Sequence, residues 1–344
     1  MIFHQHYSLK PHNSFGLEVF AEQFVSISSE EELREVFRSK QSATPVFVLG
    51  GGSNVLFTQN VQGLVCKIAL KGTRVVRETA ETLELECAAG EVWDDIVRYA
   101  VAQNWGGIEN LSLIPGSIGA APVQNIGAYG VELKDVLVSV QGMMRDTGEM
   151  HTLTQEECAF GYRDSIFKRE LKNKCVITSV TMRLRKNPTA NDLHTSYGAI
   201  REELTKLFPE TPHESYTVHH VSEAVRSIRR SKLPDPAVLG NAGSFFKNPE
   251  VSREVYERLY AEYPAMPVFM LDSGLVKIPA AWLIEQTGWK GRRDGDAGMH
   301  TQQALVLVNY GKATGQDLVR LSERVRADVF AKFSLQLETE VNIL

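Results

Sequence analysis

Apolar positions along this chain change their spacing several times, and each change marks an element. From Glu30 to Ser39 the spacing is helical, with Leu33 and Phe37 four apart on one face. Pro45 opens a continuous apolar run, Val46-Phe47-Val48-Leu49, which predicts a short buried strand. Gly63–Leu70 reads as another strand, and Thr82–Ala88 alternates with the period of two that a strand requires. Glu91–Ala102 returns to helical spacing, with Val92, Ile96, Tyr99 and Ala100 expected on the inner face. Strands are expected again at Val136–Met143 and Val176–Leu184, the second with clean alternation.

Between them lies a stretch with neither period. Trp105 to Gly130 is rich in glycine, proline and asparagine, yet dense in apolar residues. A long ordered loop of this kind is uncommon and usually functional.

Polar residues around Pro188 suggest a boundary. Beyond it the pattern predicts helices at Tyr197–Leu207, Val218–Arg230, Val251–Tyr263, Ala280–Thr287 and Thr314–Phe333. A strand is expected at Ala304–Tyr310, and the tail Leu335–Ile343 reads as a last strand. No repeat is visible.

Bulk properties narrow the class. At about 100–200 residues per domain, 344 residues make two or three domains. Hydrophobic content of 43% and charged content of 23% are ordinary globular values. A net charge of −5 argues against nucleic acid as the main partner. No apolar run approaches the ~20 residues that span a bilayer, and the N-terminus lacks a signal core. A cytoplasmic, monomeric protein with no membrane association is expected. Cys66, Cys87, Cys158 and Cys175 form no CxxC pair and read as small buried hydrophobes.

The chemistry concentrates in glycine turns. Gly50-Gly51-Gly52-Ser53-Asn54 follows a strand, and glycines let backbone N–H groups converge on an anion. No Lys-Ser/Thr pair follows, so this is not a Walker A loop, and the GxGxxG fingerprint is absent too. Alone it reads better as a plain tight turn. A second segment, Pro115-Gly116-Ser117-Ile118-Gly119-Ala120-Ala121-Pro122 with Gln124-Asn125-Ile126-Gly127-Ala128-Tyr129-Gly130, adds backbone donors beside apolar cover for a flat ring. Together the two suit a cofactor with both phosphates and an aromatic ring. The competing reading of the second segment is an Ω-loop packed for its own sake.

Seven stretches in order resemble the UDP-N-acetylenolpyruvoylglucosamine reductase family. They are Asn13–Gly16 (NSFG), Leu49–Phe57 (LGGGSNVLF), Ile114–Gly130, Phe160–Lys168 (FGYRDSIFK), Lys232–Pro236 (KLPDP), Gly240–Pro249 (GNAGSFFKNP) and Gln302–Asn309 (QQALVLVN). The resemblance implies an α+β architecture: a vanillyl-alcohol-oxidase/PCMH-type FAD-binding domain of two α+β subdomains, then a smaller α/β substrate-binding domain. By residue number it implies an FAD domain over 17–187, a linker with a tyrosine loop over 188–216, a substrate-binding domain over 217–334, and a final strand over 335–344 returning to the active site.

It also implies the reaction. NADPH supplies hydride through FAD to the enolpyruvyl group of a UDP-sugar, giving UDP-N-acetylmuramate in peptidoglycan precursor synthesis, with consequences for cell shape and division. No histidine lies near either glycine segment, so the FAD is expected to be non-covalent. The family pattern makes Gly50, Gly51, Gly52, Ser53, Asn54, Pro115, Gly116, Ser117, Gly119, Ala120, Asn125, Gly127, Ala128 and Tyr129 the cofactor residues.

Hydride addition builds charge on the substrate carboxylate, which needs donors already in place. A guanidinium suits that task, and the resemblance assigns it to Arg163, whose bland alternative is a surface pair with Asp164. It assigns the proton donor to Ser244, otherwise a turn serine capping the backbone. It assigns the active-site carboxylate to Glu340. Alternation sets Leu335, Leu337 and Val341 on one face of the tail, with Glu338 and Glu340 on the other, and Glu338 is read as solvated. Proline often separates these two glutamates in the family, and Thr339 stands there here. Lys232, Asn248 and Gln303 (or its neighbour Gln302) are placed by the resemblance near the substrate diphosphate, and Tyr197 on a loop that covers it. No metal site is expected: His219 and His220 read as surface or capping residues. Arg229-Arg230 reads as a solvated helix end. An oxidase of the same fold and a non-catalytic nucleotide-sugar binder are the rival functions.

Overall fold

A computed structural model describes residues 1–39 and 45–344. Two compact units share the chain discontinuously. One holds Met1–Tyr7, Ala21–Gly51 and Gln62–Ser231, and the other holds Ser8–Phe20, Gly52–Val61 and Lys232–Leu344.

The first unit is built on two sheets. In one, the strands run in the order Phe3–Ser8, Phe20–Ile27, Val61–Ile68 and Val46–Leu49. The last two are parallel, with Leu49 opposite Lys67. Val46–Leu49 is therefore an edge strand. Leu49 is buried but Val46, Phe47 and Val48 are half-buried, so the expected fully buried strand is corrected to an edge one. Helix α1 (Glu30–Ser39) lies where the spacing put it, with Leu33, Val36 and Phe37 in the core.

The other sheet is antiparallel, in the order Met150–Thr154, Leu137–Met144, Cys175–Lys186, Thr82–Ala88 and Thr73–Glu78, with Trp105–Gly106 also pairing to Cys175–Lys186. Cys175–Lys186 is central. From Val176 to Met182 every residue is buried, including Thr178, Ser179 and Thr181. Clean in-out alternation fails there because both faces are covered.

Helix α2 (Trp93–Ala102) buries Trp93, Ile96, Val97, Ala100 and Val101. Val92 and Tyr99 were expected on that face, but both are exposed. Trp93 displaces them: its ring is fully buried and its Nε1 donates to the Leu111 carbonyl at 3.0 Å. Helices α3 (Gly198–Leu207) and α4 (Val218–Lys232) complete this unit. Thr217 N–H donates to His220 Nδ1 at 3.1 Å at the start of α4, a capping role.

The second unit holds an antiparallel sheet in the order Gly240–Ser244, Val306–Asn309, Ala297–Met299 and Arg293–Asp294. With it go α5 (Arg253–Glu262), α6 (Ala280–Gln286) and α7 (Gly315–Phe333). Helix α7 starts on a capping box in which Thr314 and Asp317 satisfy each other's backbone N–H. The tail is not one continuous strand. Only Asn342–Ile343 pairs as a strand, with Val55–Leu56, and Thr339 forms a single bridge to Phe246. Leu335, Leu337 and Val341 are nonetheless buried, as the alternation required.

Candidate active site

In the first unit the two glycine segments touch. A Cβ on Gly51 would lie 2.7 Å from Gly116 Cα, and one on Gly50 would lie 2.8 Å from Ser117 Oγ and 3.4 Å from Ala120 Cβ. Neither position has room for a side chain, so both glycines are required by close approach. The second segment is pinned from behind. Trp93 N–H donates to Gly116 O at 3.0 Å, Ile118 N–H to Glu91 O at 2.8 Å, and Gly119 N–H to Ala89 O at 2.9 Å. A Cβ on Gly119 would strike Ala89 Cβ at 2.6 Å. Ser117 Oγ is buried and meets no hydrogen-bond partner among the described residues. A buried hydroxyl without a partner beside two glycine turns fits an absent acceptor such as a phosphate oxygen.

Further along, Asn125 adopts a left-handed conformation and is fully buried. Its side chain is committed to the protein, donating to Glu132 Oε2 at 2.9 Å and Gly161 O at 3.2 Å and accepting from Lys134 N at 3.0 Å. It shapes the loop. Gly127–Ala128 pairs with Val131–Glu132 as a short hairpin. Asn110 Nδ2 holds the Tyr129 carbonyl at 3.1 Å and the His194 carbonyl at 2.8 Å. The Tyr129 and Tyr197 rings meet edge-to-face at 5.6 Å, which seats the tyrosine at the start of α3 on the second glycine segment.

Arg163 sits in the tight turn Gly161–Asp164 with a left-handed backbone, φ 53°, a conformation few non-glycine residues adopt. Its Nη2 donates to Gly127 O at 2.7 Å and its Nη1 to Asn125 O at 3.4 Å. Asp164 instead pairs with Arg169. The surface-pair alternative for Arg163 thus gives way to a guanidinium tied to the second glycine segment.

The sequence missed part of this surround. Arg226, 4% exposed, pairs with Asp94 at 2.6 Å, and Asp94 also accepts from Leu113 N–H at 2.6 Å. Ser222 and Ser112 share a hydrogen bond of 2.8 Å. Arg229 was read as part of a solvated helix end. That is corrected: its Nε is buried without a partner among the described residues, burial lowers its pKa, and its side chain reaches Tyr129. The signal was the spacing of Ser222, Arg226 and Arg229 on one helical stripe, hidden inside a basic run. Arg230 is exposed, as expected. Lys67, also missed, donates to the Gly50 carbonyl.

In the second unit, Gly52 has φ 68°, and a Cβ there would run into the His12 carbonyl. Its own carbonyl accepts from Ser14 N–H at 3.0 Å. Asn54 Nδ2 donates to Glu340 O at 3.2 Å, and Asn54 O accepts from Asn342 N–H at 3.2 Å. The end of the first glycine turn is thereby bonded to the C-terminal tail.

Ser244 ends the strand Gly240–Ser244 beyond a register shift, where Gly243 has φ 70° and donates to Asn241 Oδ1 at 2.9 Å. Ser244 Oγ makes no hydrogen bond among the described residues, so it caps nothing. Phe245 and Phe246 behind it are wholly buried. Glu340 N–H donates to Phe245 O at 2.8 Å. Glu338, by contrast, is exposed and pairs with Lys247 at 3.2 Å.

The remaining substrate candidates are not drawn into this arrangement by any bond. Lys232 is exposed at the end of α4. Asn248 Oδ1 accepts from Ala280 N–H at 2.9 Å, which caps α6. Gln303 is half-buried and Gln302 exposed.

A profile described as an FAD binding domain matches residues 21–154. One described as the C-terminal domain of UDP-N-acetylenolpyruvoylglucosamine reductase matches residues 235–344. A UDP-N-acetylenolpyruvoylglucosamine reductase of Flavobacterium johnsoniae is 46% identical over 344 residues, covering 100% of both chains. One of Bacteroides fragilis is 47% identical over 340 residues, covering 99% of each. The solved reductase of that name from Thermus caldophilus matches at a TM-score of 0.67 and 24% identity, covering 99% of this chain and 98% of its own. At that identity it shows the fold.

Proposed function

The chain belongs to the UDP-N-acetylenolpyruvoylglucosamine reductase family, and we propose how its residues divide the work of that reaction. It is an NADPH-dependent flavoenzyme, UDP-N-acetylmuramate dehydrogenase, which reduces the enolpyruvyl ether to the lactyl ether in peptidoglycan precursor synthesis. Bound FAD supplies the hydride that the substrate receives.

Gly50 to Asn54 and Pro115 to Tyr129 hold the cofactor, non-covalently. Gly50, Gly51, Gly116 and Ser117 are the phosphate side of that surface, which the partnerless Ser117 hydroxyl supports. Arg163 grips the substrate carboxylate and stabilises the charge that grows there, oriented by the bonds from its Nη2 to the Gly127 carbonyl and its Nη1 to the Asn125 carbonyl. Ser244 delivers the proton to the substrate carbon. Glu340 is the carboxylate of the same site and assists that transfer. Lys232, Asn248 through its Nδ2, and Gln303 receive the substrate diphosphate, and Tyr197 closes over it. In sequence terms 17–187 serves FAD, 188–216 carries the tyrosine loop, 217–334 serves the substrate and 335–344 returns Glu340 to the site. A cytoplasmic monomer fits a reaction on UDP-linked and NADPH substrates. No helix among the described residues is long and apolar enough to cross a membrane.

The observation that carries the division of roles is the 2.8 Å bond from Glu340 N–H to the Phe245 carbonyl, one residue from the unbonded Ser244 hydroxyl. Ser244→Ala tests it. Flavin bleaching by NADPH should proceed at the wild-type rate, while reoxidation by the enolpyruvyl nucleotide collapses. Equal slowing of both half-reactions assigns Ser244 a structural role instead. NADPH oxidation by the wild type that ignores the nucleotide would overturn the reductase reading.

A further inference from the structure

The strand Val61–Ile68 carries one cation, Lys67, set in the apolar run Leu64-Val65-Cys66 and Ile68. Lys67 stands opposite Leu49, the residue that precedes Gly50, in the parallel pair. Its neighbours Cys66 and Ile68 are buried, and Lys67 itself is half-buried. Its ammonium donates to the Gly50 carbonyl, its one hydrogen bond among the described residues, and no carboxylate there pairs with it. Burial first, and the charge of Lys71 second, depress its pKa.

An ammonium drawn out of water without a counter-charge is costly to the fold. A single carbonyl satisfies only one of its three protons. The arrangement makes physical sense if an anion is brought to it. The turn it touches is the one whose two glycines abut Gly116 and the partnerless Ser117 hydroxyl. Those segments supply backbone and hydroxyl donors but no positive charge of their own. A dinucleotide diphosphate brings two negative charges, and hydrogen-bond donors alone leave both unneutralised.

Resting on the FAD reading above, we propose that Lys67 is the cationic residue of the cofactor's diphosphate site. It neutralises charge held by the Gly50–Gly51 and Gly116–Ser117 backbone, and it fixes the Gly50 carbonyl away from the phosphates. Neither role is marked by a glycine motif.

The test is FAD rebinding to stripped protein, followed by flavin fluorescence at low and high salt, for wild type, Lys67→Gln and Lys67→Arg. Glutamine, one bond shorter, keeps a neutral donor for the Gly50 carbonyl and removes the charge. Lys67→Gln should raise the FAD dissociation constant roughly 10- to 100-fold at low salt, the usual loss for a charged hydrogen bond. The gap should narrow at high salt as screening grows, and Lys67→Arg should stay near wild type. A Lys67→Gln protein that binds FAD as wild type does overturns the proposal. So does a loss that is indifferent to salt and tracks a lower melting temperature of the stripped protein, because Lys67 is then only a clamp on the turn. Failure of the wild type to bind FAD is a different result: it overturns the flavoenzyme reading itself.

Discussion

Glu340 and Phe245 are joined through their backbones, the Glu340 N–H meeting the Phe245 carbonyl at 2.8 Å. The bond fixes the carboxylate-bearing residue of the tail beside the strand end that carries Ser244. Asn54 adds a second tether to the Glu340 carbonyl at 3.2 Å. Glu340 is thus held at its backbone from both sides, its N–H by the Phe245 carbonyl and its carbonyl by the Asn54 side-chain amide. Glu340→Gln should keep the fold and the rate of flavin reduction by NADPH. Turnover of the enolpyruvyl nucleotide should drop by about 10²–10⁴, the usual contribution of a positioned proton-transfer group. Stopped-flow absorbance of the flavin separates the two. An unchanged reoxidation rate removes Glu340 from the chemistry.

Arg163 meets the glycine segment through both terminal nitrogens of its guanidinium, from a left-handed backbone. Lysine cannot make two parallel bonds to a carboxylate. Arg163→Lys should therefore lower kcat by roughly 10²–10³, the scale for losing one preorganised donor to a growing charge. KM should move less than kcat, since the charge is larger in the transition state. A change confined to KM shows that Arg163 serves ground-state binding alone.

Part of this was legible beforehand. The helix opening at Thr314, the helical stripe of α1 and the alternation of Leu335, Leu337 and Val341 are local signals, and the structure keeps all three. The phase of α2 was not legible. Apolar residues occur on two sides of it, and only the tertiary partner of the Trp93 ring decides which side turns inward. Strands Phe3–Ser8 and Phe20–Ile27 were also missed; they pair with each other, and Phe20–Ile27 pairs in turn with the later strand Val61–Ile68. In the site, glycine turns announced themselves, whereas Arg229 and Lys67 did not. A buried cation looks in sequence like any surface cation; only the unpartnered Arg229 Nε and the Gly50 contact set the two apart.

Gly51 offers a direct test of the cofactor cradle. A methyl there would meet Gly116 Cα at 2.7 Å, and both sides of the contact are backbone. One segment must shift, and Ser117 shifts with it. Gly51→Ala should fold yet purify with little or no yellow colour, with FAD affinity lowered at least about tenfold, 1.4 kcal/mol. Full flavin occupancy in the variant would show that the two segments need not touch to hold FAD.

The cysteines provide a chemical check on the core. Burial pushes the Cys87 and Cys158 thiols up to about 12 and Cys175 to about 11. Thiolate is the reactive form, so at pH 8 these three are almost wholly protonated. Native protein should take up iodoacetamide at them slowly and should label rapidly once unfolded in denaturant. Mass spectrometry of the labelled peptides reads this by site. Fast native labelling of Cys87 or Cys158 contradicts their burial.

Glu109 supplies a pH test with a definite sign. It is buried at 1% exposure, accepts from Gly107 N–H at 2.6 Å, and its pKa is raised, chiefly by burial. In the unfolded chain a glutamate ionises near a pKa of about 4.3. Between that value and the raised folded one, the native state binds the extra proton. Unfolding then releases it, and stability falls as pH rises across the window. Above the folded pKa the penalty is complete and constant. Glu109→Gln removes the titration and keeps an oxygen to accept from Gly107. The melting temperature of the variant minus that of the wild type should therefore increase as pH climbs from below 4.3 to neutrality, and then level off. Melts across a pH series measure this difference directly. A difference that is flat, or that shrinks with rising pH, means that Glu109 ionises in the folded protein as easily as in water.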